Sequence, residues 1–314
     1  MGMGLATGFG AALFLALSYV FSGMSVRRFA GVSPVSLLCR SHLVMGALSL
    51  VGLACVWSPA VVSGFGSYVW PLVGAVGFYL LGQSGLFMAQ RTVDASRVVP
   101  LLGLKLLVLA LVNMRLLPLL GLAEPERYQV WQWLGMGLTV VSAFLLNQAG
   151  GRIAWSGLCW IGVTCLGYAL SDTCIKRLMD VMQGLLAADV GPVRNALLSA
   201  FLCYVLAALV SAALLPLLRL PREVSAARVW CWLSPFAMCW LLAMLFLYLC
   251  FHELGTVNGN IIQSTRGLLA IVIGWALSRA GFTELETAIT TRVLVRRLFA
   301  GALMVAAIVL FNLR

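Results

Sequence analysis

The chain has 314 residues, of which 62% are hydrophobic and only 10% charged, with a mean hydropathy of +1.02. A soluble domain carries about 25% charged residues, so the composition excludes an ordinary water-soluble fold and points to the membrane. The formal net charge of +11 would suit a nucleic-acid partner, but the basic residues lie mostly at the ends of apolar runs, where they act as topology signals and headgroup anchors.

About 20 apolar residues cross the hydrocarbon of a bilayer. Ten such runs are expected, and they leave little for a soluble domain. Span 1, about 5–26, carries Ser18, Tyr19 and Ser22 and ends at Arg27 and Arg28; Gly4 and Gly8 read as a packing face. No basic region or small-residue cleavage site precedes it, so it is expected to be a retained helix. Span 2, about 36–57, holds Arg40, Ser41 and His42 near its start. Span 3, about 68–90, holds Gln83 and Gln90. A polar break at Arg91, Asp94 and Arg97 leads into span 4, about 97–117, with Pro100 and Lys105. Span 5 is expected at about 129–148.

Span 6, about 154–175, contains Tyr168, Ser171 and Asp172 and ends at Lys176 and Arg177. Span 7 is about 194–216, and span 8, about 230–251, is rich in tryptophan and leucine. His252 and Glu253 are expected to break it before span 9, about 255–278. Span 10 is about 298–312. The nine cysteines lie within or beside apolar runs and have no metal-ligand spacing. They read as small buried hydrophobes, and no metal or other cofactor is expected.

The chain repeats itself. LSYVFSGMSVRRF at 17–29 aligns without gaps on LGYALSDTCIKRL at 166–178, matching Tyr19 to Tyr168. GLAEPE at 121–126 aligns on GFTELE at 281–286. The unit is five spans long, an odd number, so the second copy must be inverted in the membrane. The fold expected is therefore all-α and polytopic: ten transmembrane helices as two inverted five-helix repeats, 1–150 and 151–314. Inverted repeats mark secondary transporters, with the site near the midplane at the repeat interface.

Carried to spans 4 and 9, the alignment sets Lys105 opposite Arg266. Arg266 lies in GNIIQSTRGLLAIVIGW, residues 259–275, with Asn260 and Gln263 on one helix face. An arginine at the bilayer centre costs roughly 2.5–3.5 kcal/mol on insertion scales, and such residues usually face a cavity. Arg266, Lys105, Gln263 and Asn260 are thus the expected binding pocket for the carboxylate or phosphate of a small organic anion. Tyr19 and Tyr168 are expected to line or gate it, or else to serve as core tyrosines. Gln83 and Arg40 are placed within its reach. Asp172 is either a proton-coupling carboxylate or the partner of Lys176 one turn on, and the second reading is preferred. His42 and His252 lack the neighbours of a metal site.

The pattern YVFSG…RR…SP…LLCRSHL around spans 1 and 2, Pro100, EPER before span 5 and WLGMGLTVVSAFLL at 133–146 resemble the drug/metabolite transporter superfamily, specifically its EamA-like ten-helix members. The resemblance covers essentially the whole chain. It implies spans 1–4 and 6–9 around a central cavity, spans 5 and 10 at the periphery, and an integral multi-pass protein of the plasma or inner membrane. The second half departs from the pattern: span 9 has no proline, QSTRG replaces small and apolar residues, and TTRVLVRR precedes span 10. The superfamily's sugar-phosphate translocators also carry basic residues in spans 4 and 9 to hold an anionic substrate.

Transport of a small anionic metabolite is the function these residues favour. Export of neutral amino acids or amphipathic drug-like compounds is the alternative. A membrane enzyme would need a cluster of His, Asp or Cys near one interface, which the sequence lacks, and no P-loop supports ATP-driven pumping. The expected partners are the small-molecule substrate and membrane lipid, and spans 5 and 10 are compatible with dimer packing. Twelve basic residues fall on the face shared by the loops after spans 1, 3, 5, 7 and 9, against six on the other. That bias sets both termini outside, whereas the resemblance implies both inside.

Overall fold

The structure, a computed structural model, describes residues 2–112, 114, 128–148, 152–186, 191–281 and 290–311, with the side chains of 147, 192, 255–258, 260, 261 and 311 left out. Among them every element is helical and none is a strand. In order these are α1 (Gly2–Arg28), α2 (Pro34–Val56), the single turn α3 (Ala60–Ser63), α4 (Phe65–Ala89) and α5 (Ala95–Leu101). A 3-10 turn (Leu102–Leu104) joins α5 to α6 (Lys105–Leu111). Then come α7 (Val130–Gln148), α8 (Trp155–Leu185), α9 (Pro192–Leu214), α10 (Ala226–Ser264), α11 (Arg266–Arg279) and α12 (Thr291–Phe311). Seven segments are long and apolar enough to cross a membrane: α1, α2, α4, α8, Val193–Leu217, Ala226–Leu254 and Thr291–Leu310.

The outer surface is apolar. Trp70, Trp155, Val51, Leu209, Phe144 and Phe299 are all largely exposed, as suits a chain whose solvent is lipid. Lipid tails are as apolar as leucine, so helices associate by close packing rather than by water exclusion. Small residues accordingly mark the contacts. α1 packs along α10, α4 along α8, α2 along α9, α7 along α12, and α5 crosses α11. Ser142 adds a hydrogen bond from α7 to the Ala300 carbonyl of α12 at 2.6 Å.

Among the described glycines, the closest approach to another helix's backbone joins α4 to α8. A methyl group on Gly167 would lie 2.5 Å from the Gly82 backbone nitrogen and 2.7 Å from the Phe78 carbonyl oxygen. Backbone atoms cannot swing aside as a side chain can, so only glycine permits this crossing. Gly167→Val is therefore expected to part the two helices and lower the melting temperature in detergent by several degrees, an overpacking effect of about 1–3 kcal/mol. An unchanged midpoint in a detergent thermal-unfolding assay would contradict it.

Two expected spans take another form. Span 4 is not one helix: α5 gives way to the 3-10 turn just after Pro100, and α6 starts at Lys105. Proline lacks the N–H that would bond to the carbonyl of Ser96 four residues back, so the ladder loosens there. In the second half the ladder is interrupted at Thr265, whose hydroxyl bonds to the Ile262 carbonyl at 2.7 Å. Arg266 opens the next helix. Each cation thus begins a helical segment directly after a break.

The expected break at His252–Glu253 is a change of direction instead. Helical bonding continues from Ala226 to Ser264. Yet a methyl group at Gly8 would sit 3.0 Å from Cys250 Sγ and 2.9 Å from Ile262. A straight helix would hold those two residues about 18 Å apart. The chain therefore turns back between them, and Gly4 and Gly8 form the packing face against it. The acidic turns at 121–126 and 282–286 lie outside the described residues.

Candidate functional site: a central aromatic cavity

A cavity enclosing about 620 Å³ of space, part of it open to solvent, lies among α1, α4, α8, α9, α10 and the starts of α6 and α11. Its wall is rich in aromatic rings: Tyr19, Tyr79, Tyr168, Tyr204, Trp240 and Tyr248 all face it and all are buried. Tyr19 meets Trp240 edge-on at 5.5 Å, and Tyr79 lies nearly parallel to Tyr168 at 6.5 Å. Trp240 stands 6.0 Å from Tyr79 and 6.3 Å from Tyr168, tilted to both.

These rings are held from behind. Trp240 donates its indole N–H to the Tyr204 hydroxyl at 2.7 Å. The Tyr79 hydroxyl shares a 3.0 Å hydrogen bond with His42 Nε2 and accepts another from Gln83 at 3.3 Å. Gln90 donates to the Tyr19 carbonyl at 3.0 Å. A buried Tyr or Trp needs such partners for its polar end, and here they fix the ring orientations as well.

Three ionised side chains reach the same space. Lys105 and Asp172 form an ion pair at 2.6 Å, with side chains 7% and 15% exposed. Arg266 is 5% exposed, and its guanidinium stacks over Tyr19 at 5.8 Å from the ring centre. No carboxylate among the described residues lies within ion-pair distance of Arg266. Gln263, one turn before it, is also buried and lines the cavity. The site therefore offers one neutralised charge pair and one arginine without a carboxylate partner among the described residues.

The expected residues mostly converge. Arg266, Lys105, Gln263, Tyr19, Tyr168 and Asp172 all line this one cavity. Gln83 does not: it supports Tyr79 from the next turn of α4. The Asn260 side chain lies outside the described residues. Asp172 pairs with Lys105 rather than with Lys176, because α6 packs on α8 and brings the lysine within bonding distance. Arg40 does not reach the cavity, because its guanidinium is bonded to the Ser36 carbonyl and hydroxyl and to the Leu218 carbonyl. Tyr79, Tyr204, Trp240 and Tyr248 were not picked out in the sequence, where His42 was weighed only as a metal ligand. The only signal for them was the density of aromatics in spans 3, 7 and 8, which lipid-facing rings produce equally well. No group of three or more His, Cys, Asp or Glu residues able to hold a metal occurs among the described residues.

Toward the end where α1 finishes, two phenylalanines pack next to Trp240. Phe87 and Phe236, both fully buried, pack edge-on at 5.3 Å, and Phe236 meets Trp240 at 5.9 Å. Beyond them lies a polar layer. Arg27 pairs with Asp94 at 2.6 Å, Arg297 donates to Ser96 at 2.7 Å, and Arg91 donates to the carbonyls of Ala30 and Val32. The arginines of TTRVLVRR thus include Arg297, which is buried and ties α12 to α5.

No protein-family model and no curated protein matches this sequence. Among solved structures, one described only as "Crystal structure of protein" superposes with a TM-score of 0.60 at 17% identity. The match covers 99% of this chain and 97% of that one. The chain is therefore a multi-pass helical protein whose fold recurs, nearly end to end, in a solved structure.

Proposed function

We propose that this protein is a secondary transporter that moves a small organic anion across the membrane by alternating access. The observation that carries the proposal is Arg266: a buried arginine, facing a central cavity, with no carboxylate beside it among the described residues. An uncompensated charge in that setting is costly, and an anionic ligand is what would offset it. Membership of the EamA-like drug/metabolite transporters is proposed on the sequence pattern.

The proposed architecture is ten helical spans in two inverted repeats. The helix pairing supports it. Exchanging the halves turns the α1–α10 pair into α8–α4 and returns α2–α9, α5–α11 and α7–α12 to themselves. The same exchange turns the Tyr19–Trp240 contact into Tyr168–Tyr79. Lys105 and Arg266 are likewise exchanged, each at a helix break. Discontinuous helices at a repeat interface are where transporters of this kind hold substrate.

Energy would come from substrate exchange, a proton gradient or the substrate's own gradient. Asp172 remains the candidate coupling group, since its protonation would release Lys105. The direct test is uptake of labelled carboxylates and phosphates into proteoliposomes, with and without an opposing pH gradient. Uptake of neutral amino acids or lipophilic cations alone would reject the anion reading.

Alternating access requires the cavity to open toward the end where α1 finishes, and the Arg27–Asp94 pair is one of the bonds that must break there. Asp94→Asn removes its charge while keeping its shape. Amide exchange at residues 24–36 and 90–98 should then speed up severalfold relative to the rest of the chain. Exchange that stays at the wild-type rate would mean that the pair does not hold that end closed.

A further inference from the structure

The cavity specifies more than the sign of its ligand. Resting on the anion-site reading above, we infer that the substrate is an aromatic monocarboxylate, a flat ring bearing one carboxylate and no ammonium group.

The charge comes first. Lys105 and Asp172 cancel each other at 2.6 Å, which leaves Arg266 as the net charge of the wall among the described residues. A monoanion balances it. A dianion would carry one negative charge into a low-dielectric site with nothing to meet it, and such groups are strongly disfavoured. A zwitterionic amino acid meets the converse problem. Its ammonium needs an acceptor, and the acidic group in the wall, Asp172, is already engaged by Lys105. Specificity of this kind comes from groups left unpaired by the wrong ligand.

The shape of the anion follows from Arg266. A guanidinium is a planar fork that matches the two oxygens of a carboxylate, and that of Arg266 sits over the Tyr19 ring, 5.8 Å from its centre. The Tyr168 hydroxyl is buried in the same wall and has no hydrogen-bond partner among the described residues. It is a donor left over for the anion.

The body of the ligand is set by the rings. The ring centres of Tyr79, Tyr168 and Trp240 lie 6.0–6.5 Å from one another, and hydrogen bonds with His42 and Tyr204 keep Tyr79 and Trp240 from turning. Fixed ring surfaces favour another ring over a saturated group of equal size, because offset and edge contacts add to area burial.

The test is a thermal-shift and calorimetric titration of the purified full chain in detergent with five probes: benzoate, cyclohexanecarboxylate, phthalate, phenylalanine and benzylamine. Benzoate should stabilise the protein. Cyclohexanecarboxylate should bind at least threefold more weakly, and the other three at least tenfold more weakly. Trp240→Leu should erase the difference between benzoate and cyclohexanecarboxylate. Asp172→Asn frees the charge of Lys105 and should turn the preference toward phthalate. Gln263→Lys adds a cation without opening the ion pair and should do the same, so the charge argument stays testable if Asp172→Asn does not fold. Equal binding of benzoate and cyclohexanecarboxylate by the wild type, or phthalate or phenylalanine binding as tightly as benzoate, would overturn the inference. In those cases the anion site would still stand, provided that Arg266→Ala abolished binding. If no carboxylate stabilised the protein, or if benzoate bound Arg266→Ala undiminished, the anion site itself would be wrong.

Discussion

Arg266→Ala is expected to abolish carboxylate uptake while leaving folded protein in the membrane. Truncating one partner of a buried, hydrogen-bonded charge pair costs about 2–5 kcal/mol, which corresponds to roughly 30-fold to several thousandfold in affinity. The effect on stability should run the other way. In the ligand-free protein Arg266 is buried, stacks only on Tyr19, and has no carboxylate beside it among the described residues. Replacing it with methionine, which fills similar volume without charge, should raise the melting temperature even as transport is lost. A side chain that weakens the empty protein is kept for what it binds. Uptake assays and thermal unfolding on the same preparations check both halves. A variant that is both inactive and unfolded would point to a structural role instead.

The second large effect concerns the Lys105–Asp172 pair. Lys105→Met should leave Asp172 as a buried carboxylate without its ion-pair partner and destabilise the protein by about 3–5 kcal/mol. The double variant Lys105→Met/Asp172→Leu removes both charges and should recover most of that loss, because a buried pair is often no better than apolar groups of the same size. The cycle is measured by unfolding in mild detergent with all four proteins. Additive losses in the double variant would mean that the two residues do not share their energy, despite the 2.6 Å separation.

The two cations singled out in the sequence line one cavity in the structure. An arginine inside a membrane-length apolar run is conspicuous because burial of charge is costly, and the proposed repeat put Lys105 at the matching position. What could not be read was the partner of Asp172. Along one helix, Lys176 is a neighbour of Asp172 one turn on, and sequence spacing reports only such neighbours. The actual partner lies 67 residues away, on a helix whose path depends on the break after Pro100. The aromatic wall was hidden for a similar reason. Trp240 is 1% exposed and Trp155 is 79% exposed, yet both sit in apolar helices. In lipid, an outward-facing ring and an inward-facing ring look alike in sequence, because the solvent is as apolar as the core.

The order of polar and apolar residues alone determined that this chain is helical, that it crosses a membrane repeatedly, and that Arg266 marks its interior. Those facts follow from short-range bonding and from the cost of charge in hydrocarbon, both of which act residue by residue. The tertiary structure alone decided which helices touch and therefore what the cavity is made of. Helices in lipid are selected by how closely their backbones fit, as Gly82 and Gly167 do. That fit decided that Asp172 neutralises Lys105 and leaves Arg266 without a carboxylate partner among the described residues.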